Sequence, residues 1–357
     1  MQILRMDIEE ILSIASKNPN ISDIHLSSNE FVAYRVNGEV SRKEDIGQVG
    51  DEQMEIILRQ LFRNNPQRFD KFLADKESDF AFIAKDETPF RINAFFKTGK
   101  LGIVLRKINS EPRILEEIMF QNTADSIKQN ILASQKGLFL VTGPTGAGKS
   151  TSIVSMLEEI NKNKPYNIVT IEDPIEYVFQ AKKSIISQRE LGHDTWSFQN
   201  AIKASLREDP DVIMVGEIRS QEGADAVMNL AETGHLVFST LHTSSAVQSI
   251  NRLLSYFPSD MQQGILNRLS DSLSGILSQS LVKRKDGQGR LATFELLLNN
   301  TAVRNNLKKQ ALDQIGTIIE TNSQSGMISM RQYTKKLLER GIIDQSEADK
   351  LEKNRIF

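Results

Sequence analysis

The sequence predicts an α/β protein in which helices cover a parallel sheet, preceded by a smaller α+β domain. Three observations carry this. From Leu138 onward, short strands with no polar face alternate with helix-period segments, the pattern of strands buried on both sides. Roughly the first hundred residues instead mix amphipathic helices with antiparallel hairpin signals. The chain has 357 residues, which at roughly 150 residues per domain makes two domains.

In order along the chain, Ile8, Ile11, Leu12 and Ala15 share one helical face behind Asp7, a candidate N-cap. Phe31–Val36 then runs as a strand into Asn37-Gly38, a dipeptide that tolerates the positive φ of a two-residue hairpin turn. A second helix is expected from Asp51 to Asn64, with Met54, Ile57, Leu58 and Leu61 inward. Strand signals return at Asp79–Ile83, Phe90–Phe95 and Leu101–Arg106. The polar stretch Ile108–Arg113 reads as a linker, so the domains are taken as 1–108 and 109–357. Parallel strands are expected at Leu138–Val141, Asn167–Ile171, Val212–Val215 and Leu236–Thr240. Helix-period sequence dominates after about Asp260, including Met330, Tyr333, Leu337 and Leu338.

Composition excludes several functions. Lys and Arg total 44 against 46 for Asp and Glu, a net charge of -2, so no global positive field holds nucleic acid or an anionic membrane. The absence of cysteine removes disulfides, thiol nucleophiles, iron–sulfur clusters and four-cysteine zinc sites. No run approaches the about 18 apolar residues of a spanning helix. Met1–Asp7 contains no basic stretch leading into an apolar core, so a cytosolic location is expected.

The decisive segment is Gly143-Pro144-Thr145-Gly146-Ala147-Gly148-Lys149-Ser150-Thr151, which matches GxxxxGK[ST] between a strand signal and a helix face of Ile153, Met156, Leu157 and Ile160. A glycine-rich turn with an N-cap serine is the plainer alternative, but the strand and helix context favours a phosphate cradle. Gly143, Thr145, Gly146, Ala147, Gly148, Lys149, Ser150 and Thr151 are therefore candidate nucleotide-binding residues. Lys149 would reach the β and γ oxygens, and Ser150 would ligate Mg²⁺, making Mg²⁺ with ATP the expected cofactor. A second acidic element follows in Asp209–Arg219, where Glu217 comes after an apolar strand, although Gly216 occupies the usual place of the metal-holding acid. Ser150 and Glu217 are the metal candidates. Glu172 also follows an apolar strand, which puts both carboxylates at the carboxyl edge of the sheet, where open α/β folds bind ligands.

His235 and His242 bracket one strand, but with no cysteine or third histidine nearby zinc is disfavoured. His242 is read as a γ-phosphate sensor, with His235 equally compatible with a structural role. If Thr98-Gly99 forms a hairpin turn, Lys97 pairs with Lys100 and Arg91 stands opposite Arg106. Facing like charges cost up to about 1 kcal/mol, a cost that an anion between them would reverse. Arg91 and Arg106 are thus candidate fingers toward a neighbour's γ-phosphate, weighed against two solvated arginines, with Arg207 and Arg219 as lesser candidates.

These motifs, in this order, resemble the hexameric ATPases of type IV pili and type II secretion, and within them the pilus retraction ATPases of twitching motility. The resemblance spans almost the whole chain, through Ser22–Ser27, Gly143–Thr151, Thr170–Glu176, Arg207–Asp211, Ala231–Thr243 and Ser325–Met327. It implies a PAS-like N-terminal domain, a RecA-like ATPase domain with a C-terminal helical part, and a homo-hexamer with ATP between neighbours. It further implies an inner-membrane pilus platform as partner, and so a cytoplasmic location at that membrane. Glu172 then looks like the water-activating glutamate, Glu217 the acid near Mg²⁺ and His242 the sensor, with the first two roles exchangeable. Two stretches depart from the retraction pattern: Ser220–Ala224 and Ala302–Lys309. The nearest alternative is an extension or type II secretion ATPase, which commonly carries a four-cysteine zinc insertion. A nucleic-acid motor and a slowly hydrolysing switch lie further off.

Overall fold

The computed structural model describes residues 7–108 and 111–353. Met1–Met6, read above for a leader, and Asn109-Ser110 of the expected linker lie outside them. The chain divides into two units, one of Met1–Glu111, Glu172–Phe179 and Gln188–Ser197, the other of Pro112–Ile171, Gln180–Ser187 and Phe198–Phe357.

The first unit contains α1 (Ile8–Lys17), β1 (Ile21–Ser27), β2 (Glu30–Phe31), β3 (Ala33–Val36), β4 (Glu39–Arg42), β5 (Gln48–Val49), α2 (Asp51–Leu61), α3 (Pro66–Asp75), β6 (Glu77–Ile83), β7 (Pro89–Lys97) and β8 (Lys100–Lys107). Six strands form one antiparallel sheet in the order β4-β3-β1-β8-β7-β6. The apolar faces of α1 and α2 are buried at Ile8, Ile11, Leu12, Ala15, Met54, Ile57, Leu58 and Leu61, each worth about 1.5–3 kcal/mol for the larger side chains. Both marked turns form, with φ of 52° and 88° at Asn37-Gly38 and 46° and 77° at Thr98-Gly99. Arg91 pairs opposite Arg106, as the turn dictates.

The expected Asp51–Asn64 helix ends earlier, at Leu61, because Arg63 and Asn64 adopt left-handed φ of 52° and 56°. Asn65 then caps α3, accepting from the Gln67 and Arg68 N–H groups, with Pro66 at the first helical position. That start signal stands in the sequence, outside the elements expected above. Arg68 on α3 is buried, its guanidinium 4.9 Å and 4.8 Å from the Phe62 and Phe80 ring centres.

The second unit is built on α4 (Leu115–Ile118), α5 (Gln121–Ile127), β9 (Gly137–Thr142), α6 (Lys149–Asn163), β10 (Asn167–Glu172) up to its last residue, the first half of β11 (Ile185–Glu190), α7 (Phe198–Ser205), β12 (Val212–Val215), α8 (Gln221–Glu232), β13 (Leu236–Leu241), α9 (Ala246–Ser255) and α10 (Gln262–Ser272). β14 (Leu273–Lys283), β15 (Arg290–Leu298), α11 (Thr301–Lys308), α12 (Gln314–Thr321), α13 (Met330–Glu339) and α14 (Gln345–Lys353) follow. The seven-stranded sheet has the order β11-β10-β12-β13-β9-β14-β15. Pairing is parallel from β10 through β14 and turns antiparallel at β15. All residues of β9 and β13 are buried, which explains why neither strand alternates between apolar and charged residues. The β14–β15 hairpin lies where helix-period sequence was expected to dominate. β14 is buried on both faces along most of its length, so it shows no alternation. Gly275 within it is required, since a Cβ there would lie 2.5 Å from Leu297 O.

Candidate active site

The glycine-rich candidate segment leaves central β9 at Gly143 and enters α6 at Lys149. Its three glycines have positive φ: 155° at Gly143, 73° at Gly146 and 86° at Gly148. Gly148, which has no side chain to cap with, is the N-cap of α6, so first-turn N–H groups and the positive end of the dipole face the loop.

Three of the candidate side chains, Lys149, His242 and Glu217, meet here. Lys149 Nζ donates to Gly143 O at 2.8 Å and Pro144 O at 3.3 Å, and stands 3.3 Å from His242 Nδ1. His242 Nε2 lies 3.3 Å from Glu217 Oε1, and Thr145 Oγ1 lies 3.5 Å from Nδ1. An ammonium only donates, so Nδ1 accepts and Nε2 carries the proton shared with Glu217. Arg219 Nε donates to the other Glu217 oxygen at 2.9 Å. The result is one line of polar contacts from the loop lysine through the histidine to the acid. A cavity of about 360 Å³ opens beside it, lined by Pro144, His242, Thr243, Met330 and Leu351, within the size range of ligand clefts.

Backbone anchors hold Glu217 in place after β12. Gly216 N–H donates to Ile171 O, Thr240 Oγ1 to Gly216 O, and Ile218 N–H to Thr240 O. A chain of hydroxyls, Ser278, Thr142, Ser249 and Thr243, joins the start of the loop to the segment after His242 at 2.9, 3.3 and 2.7 Å. Gln279 on β14, which no sequence pattern marks, braces the loop from beneath. Its amide donates to Ala147 O at 2.7 Å and accepts from Ser152 Oγ at 2.9 Å.

Among the described residues no group of three His, Asp or Glu side chains could hold a metal ion by itself. The candidates from the sequence, the Ser150 hydroxyl in the first turn of α6 and the Glu217 carboxylate after β12, would offer a sparse set of oxygens. Such a set suits Mg²⁺, which keeps several waters and substrate phosphate oxygens among its ligands.

Glu172 ends β10 and is buried, accepting a hydrogen bond from Gln188 Nε2 at 3.2 Å. Arg91 and Arg106 face each other, and carboxylates meet their charge. Arg91 pairs with Asp79 at 2.6 Å and Glu176 at 3.4 Å, and Arg106 with Asp23 at 2.8 Å. Arg106 remains 70% exposed, and Arg207 is also exposed. His235 sits before β13, at the opposite end of that strand from His242, with its Nδ1 3.0 Å from Leu230 O.

Residues 1–350 match the family model described as type II/IV secretion system protein. The chain belongs to this family. It is 40% identical over 320 residues to the twitching motility protein of Neisseria gonorrhoeae, covering 90% of this chain and 84% of that one. It is 37% identical over 348 residues to the type IV pilus retraction ATPase PilT of Pseudomonas aeruginosa, covering 96% and 97%. A crystal structure of the pilus retraction motor PilT with bound ADP superposes with a TM-score of 0.85 at 37% identity, covering 97% of each chain.

Among this secretion-family chain's titratable groups, buried Glu190 stands out. Its Oε2 accepts from the Ala81 and Ile175 N–H groups at 2.9 and 3.0 Å. Burial pushes its carboxyl from 4.5 up to about 7, against the pull of those N–H groups, His193 and Arg68. The unfolded chain releases this proton near 4.5 and the folded chain near 7, so in that window the folded state binds more protons. Stability therefore falls as pH rises from about 4.5 to 7 and levels off above. Glu190→Gln keeps an oxygen for both N–H groups and carries no charge. Chemical denaturation is expected to show that the substitution removes about 2–4 kcal/mol of this decline. Parallel profiles for the two proteins would refute the assignment.

Proposed function

We propose that this protein is an ATP-hydrolysing motor for type IV pilus retraction, acting as a homo-hexamer with nucleotide between neighbouring copies. The contact line Lys149–His242–Glu217 carries the reading. An ammonium, an imidazole and a carboxylate in line beside a glycine loop and a helix N-terminus support a site that binds a polyphosphate. The likeness to PilT over nearly the full length of both chains supports pilus retraction as the work done. The absence of cysteine also sets it apart from extension ATPases with a four-cysteine insertion.

In this mechanism the N–H groups of the 143–151 loop cradle the phosphates, and Lys149 turns from its loop carbonyls to the β and γ oxygens. Ser150 and Glu217 would hold Mg²⁺, which would supply charge neutralisation on the transferring phosphoryl group. Glu172 takes a proton from the attacking water as the γ-phosphate bond breaks in line. His242 exchanges its contact with Lys149 for one with the γ-phosphate, and Glu217 and Arg219 receive that change. Arg91 and Arg106 reach the γ-phosphate of an adjoining copy, and the ring works against an inner-membrane platform protein from the cytoplasmic side.

Steady-state ATP turnover tests the chemistry. Activity is expected to require Mg²⁺, to disappear in EDTA, and to fall at least about 100-fold in Lys149→Ala. Turnover indifferent to both would overturn the reading.

A further inference from the structure

Strand β11 ends with Gln188 and Glu190, two residues apart and so on one face of the strand. Both side chains are committed to the acidic segment Glu172–Phe179. Gln188 Nε2 donates to Glu172 Oε1 at 3.2 Å and to Tyr177 O at 2.7 Å, while its Oε1 accepts from the Phe179 N–H at 2.8 Å. Glu190 accepts from the Ile175 N–H. The segment is thus gripped at residues 172, 175, 177 and 179 by two side chains from one strand.

The same grip extends to Arg91. Glu190 also accepts the Ala81 N–H on β6, the outermost strand of its sheet, where unpaired backbone donors are otherwise left over. Ala81 stands directly opposite Arg91 in the β6–β7 register, and Arg91 reaches Glu176, next to Ile175. One short strand therefore bonds the carboxylate read as water-activating and the backbone N–H next to the residue that meets the arginine.

We propose that Gln188 is a positioning residue for ATP hydrolysis, holding the Glu172 carboxylate in its working orientation before nucleotide arrives, with Glu190 securing the segment behind it. The proposal rests on the role given to Glu172 above. An amide is the side chain that fits. Its two N–H groups serve Glu172 and Tyr177 O, and its oxygen serves Phe179. A carboxylate of the same shape can accept but not donate, and a thioether of similar length donates nothing. Loss of the grip leaves the nucleotide cradle of loop 143–151 untouched while misplacing the general base, where an error near 1 Å costs about 100-fold.

Gln188→Met, Gln188→Glu and Glu172→Gln in the full chain, compared by kcat, KM for ATP, ADP Kd and thermal midpoint, test this. Gln188→Met is expected to lower kcat about 10- to 100-fold with ADP Kd within about twofold of the parent. Gln188→Glu keeps the acceptor for Phe179 but sets a second carboxylate against Glu172, and is expected to lose at least as much kcat. It decides the matter if the methionine variant does not fold. Unchanged kcat, or kcat, ADP affinity and midpoint all falling together, overturns the proposal. If Glu172→Gln is inert while both Gln188 variants turn over normally, positioning alone fails. If Glu172→Gln hydrolyses normally, the role of Glu172 fails and positioning with it.

Discussion

Glu172→Gln is expected to bind ATP as the parent does and to hydrolyse it about 10²- to 10⁴-fold more slowly, the usual worth of a positioned general base. The substitution is close to isosteric, and the amide it introduces can still offer an oxygen to Gln188 Nε2, now 3.2 Å from Glu172 Oε1. The shape of the segment survives while its proton acceptor is lost. The proposed nucleotide cradle, loop 143–151 with the start of α6, contains no part of this segment. Measured ADP and ATP affinities should hold while kcat collapses. Hydrolysis at the parent rate would transfer the base role elsewhere, with Glu217 first in line.

Gly143→Ala carries the second large effect. An alanine Cβ at this residue would lie 2.4 Å from Gln279 O and 3.0 Å from Ala147 Cβ, on a backbone with φ of 155°. The first obstacle is backbone of β14 and cannot rotate away. Strain in a glycine-only region costs about 1–3 kcal/mol, and overpacking a well-filled interior about 1–3 kcal/mol more. The chain can relieve both only by moving the loop that also accepts the Lys149 contact. Lower thermal stability together with at least about tenfold weaker nucleotide binding is expected. A variant with parent-like affinity would show that loop geometry is not set by the β9–β14 contact.

Much of this was legible in the sequence because the signals were local. Nine consecutive residues define the phosphate loop, and runs such as Leu138–Val141 can be little but buried strands. The Thr98-Gly99 turn even fixed the pairing of Arg91 with Arg106, since register in a two-residue hairpin follows by counting. What met those arginines was not legible: Asp23 is 83 residues from Arg106, and Glu176 is 85 from Arg91. The same holds for the supporting side chains. Gln279 touches Ala147 across 132 residues, and Glu190 touches Ala81 across 109. A lone amide or carboxylate in a strand carries no periodic signature, and only the fold reveals what it holds. β14 hid for another reason, since a strand buried on both faces next to a helix has no alternation to betray it.

The central claim is that ATP hydrolysis at this site drives pilus retraction, and pilus number and twitching in a host lacking the gene test it most directly. Overpiliated cells that do not twitch are expected, restored by the parent gene and left unrestored by Glu172→Gln. Loss of pili on deletion would contradict the claim and make the protein a motor of extension.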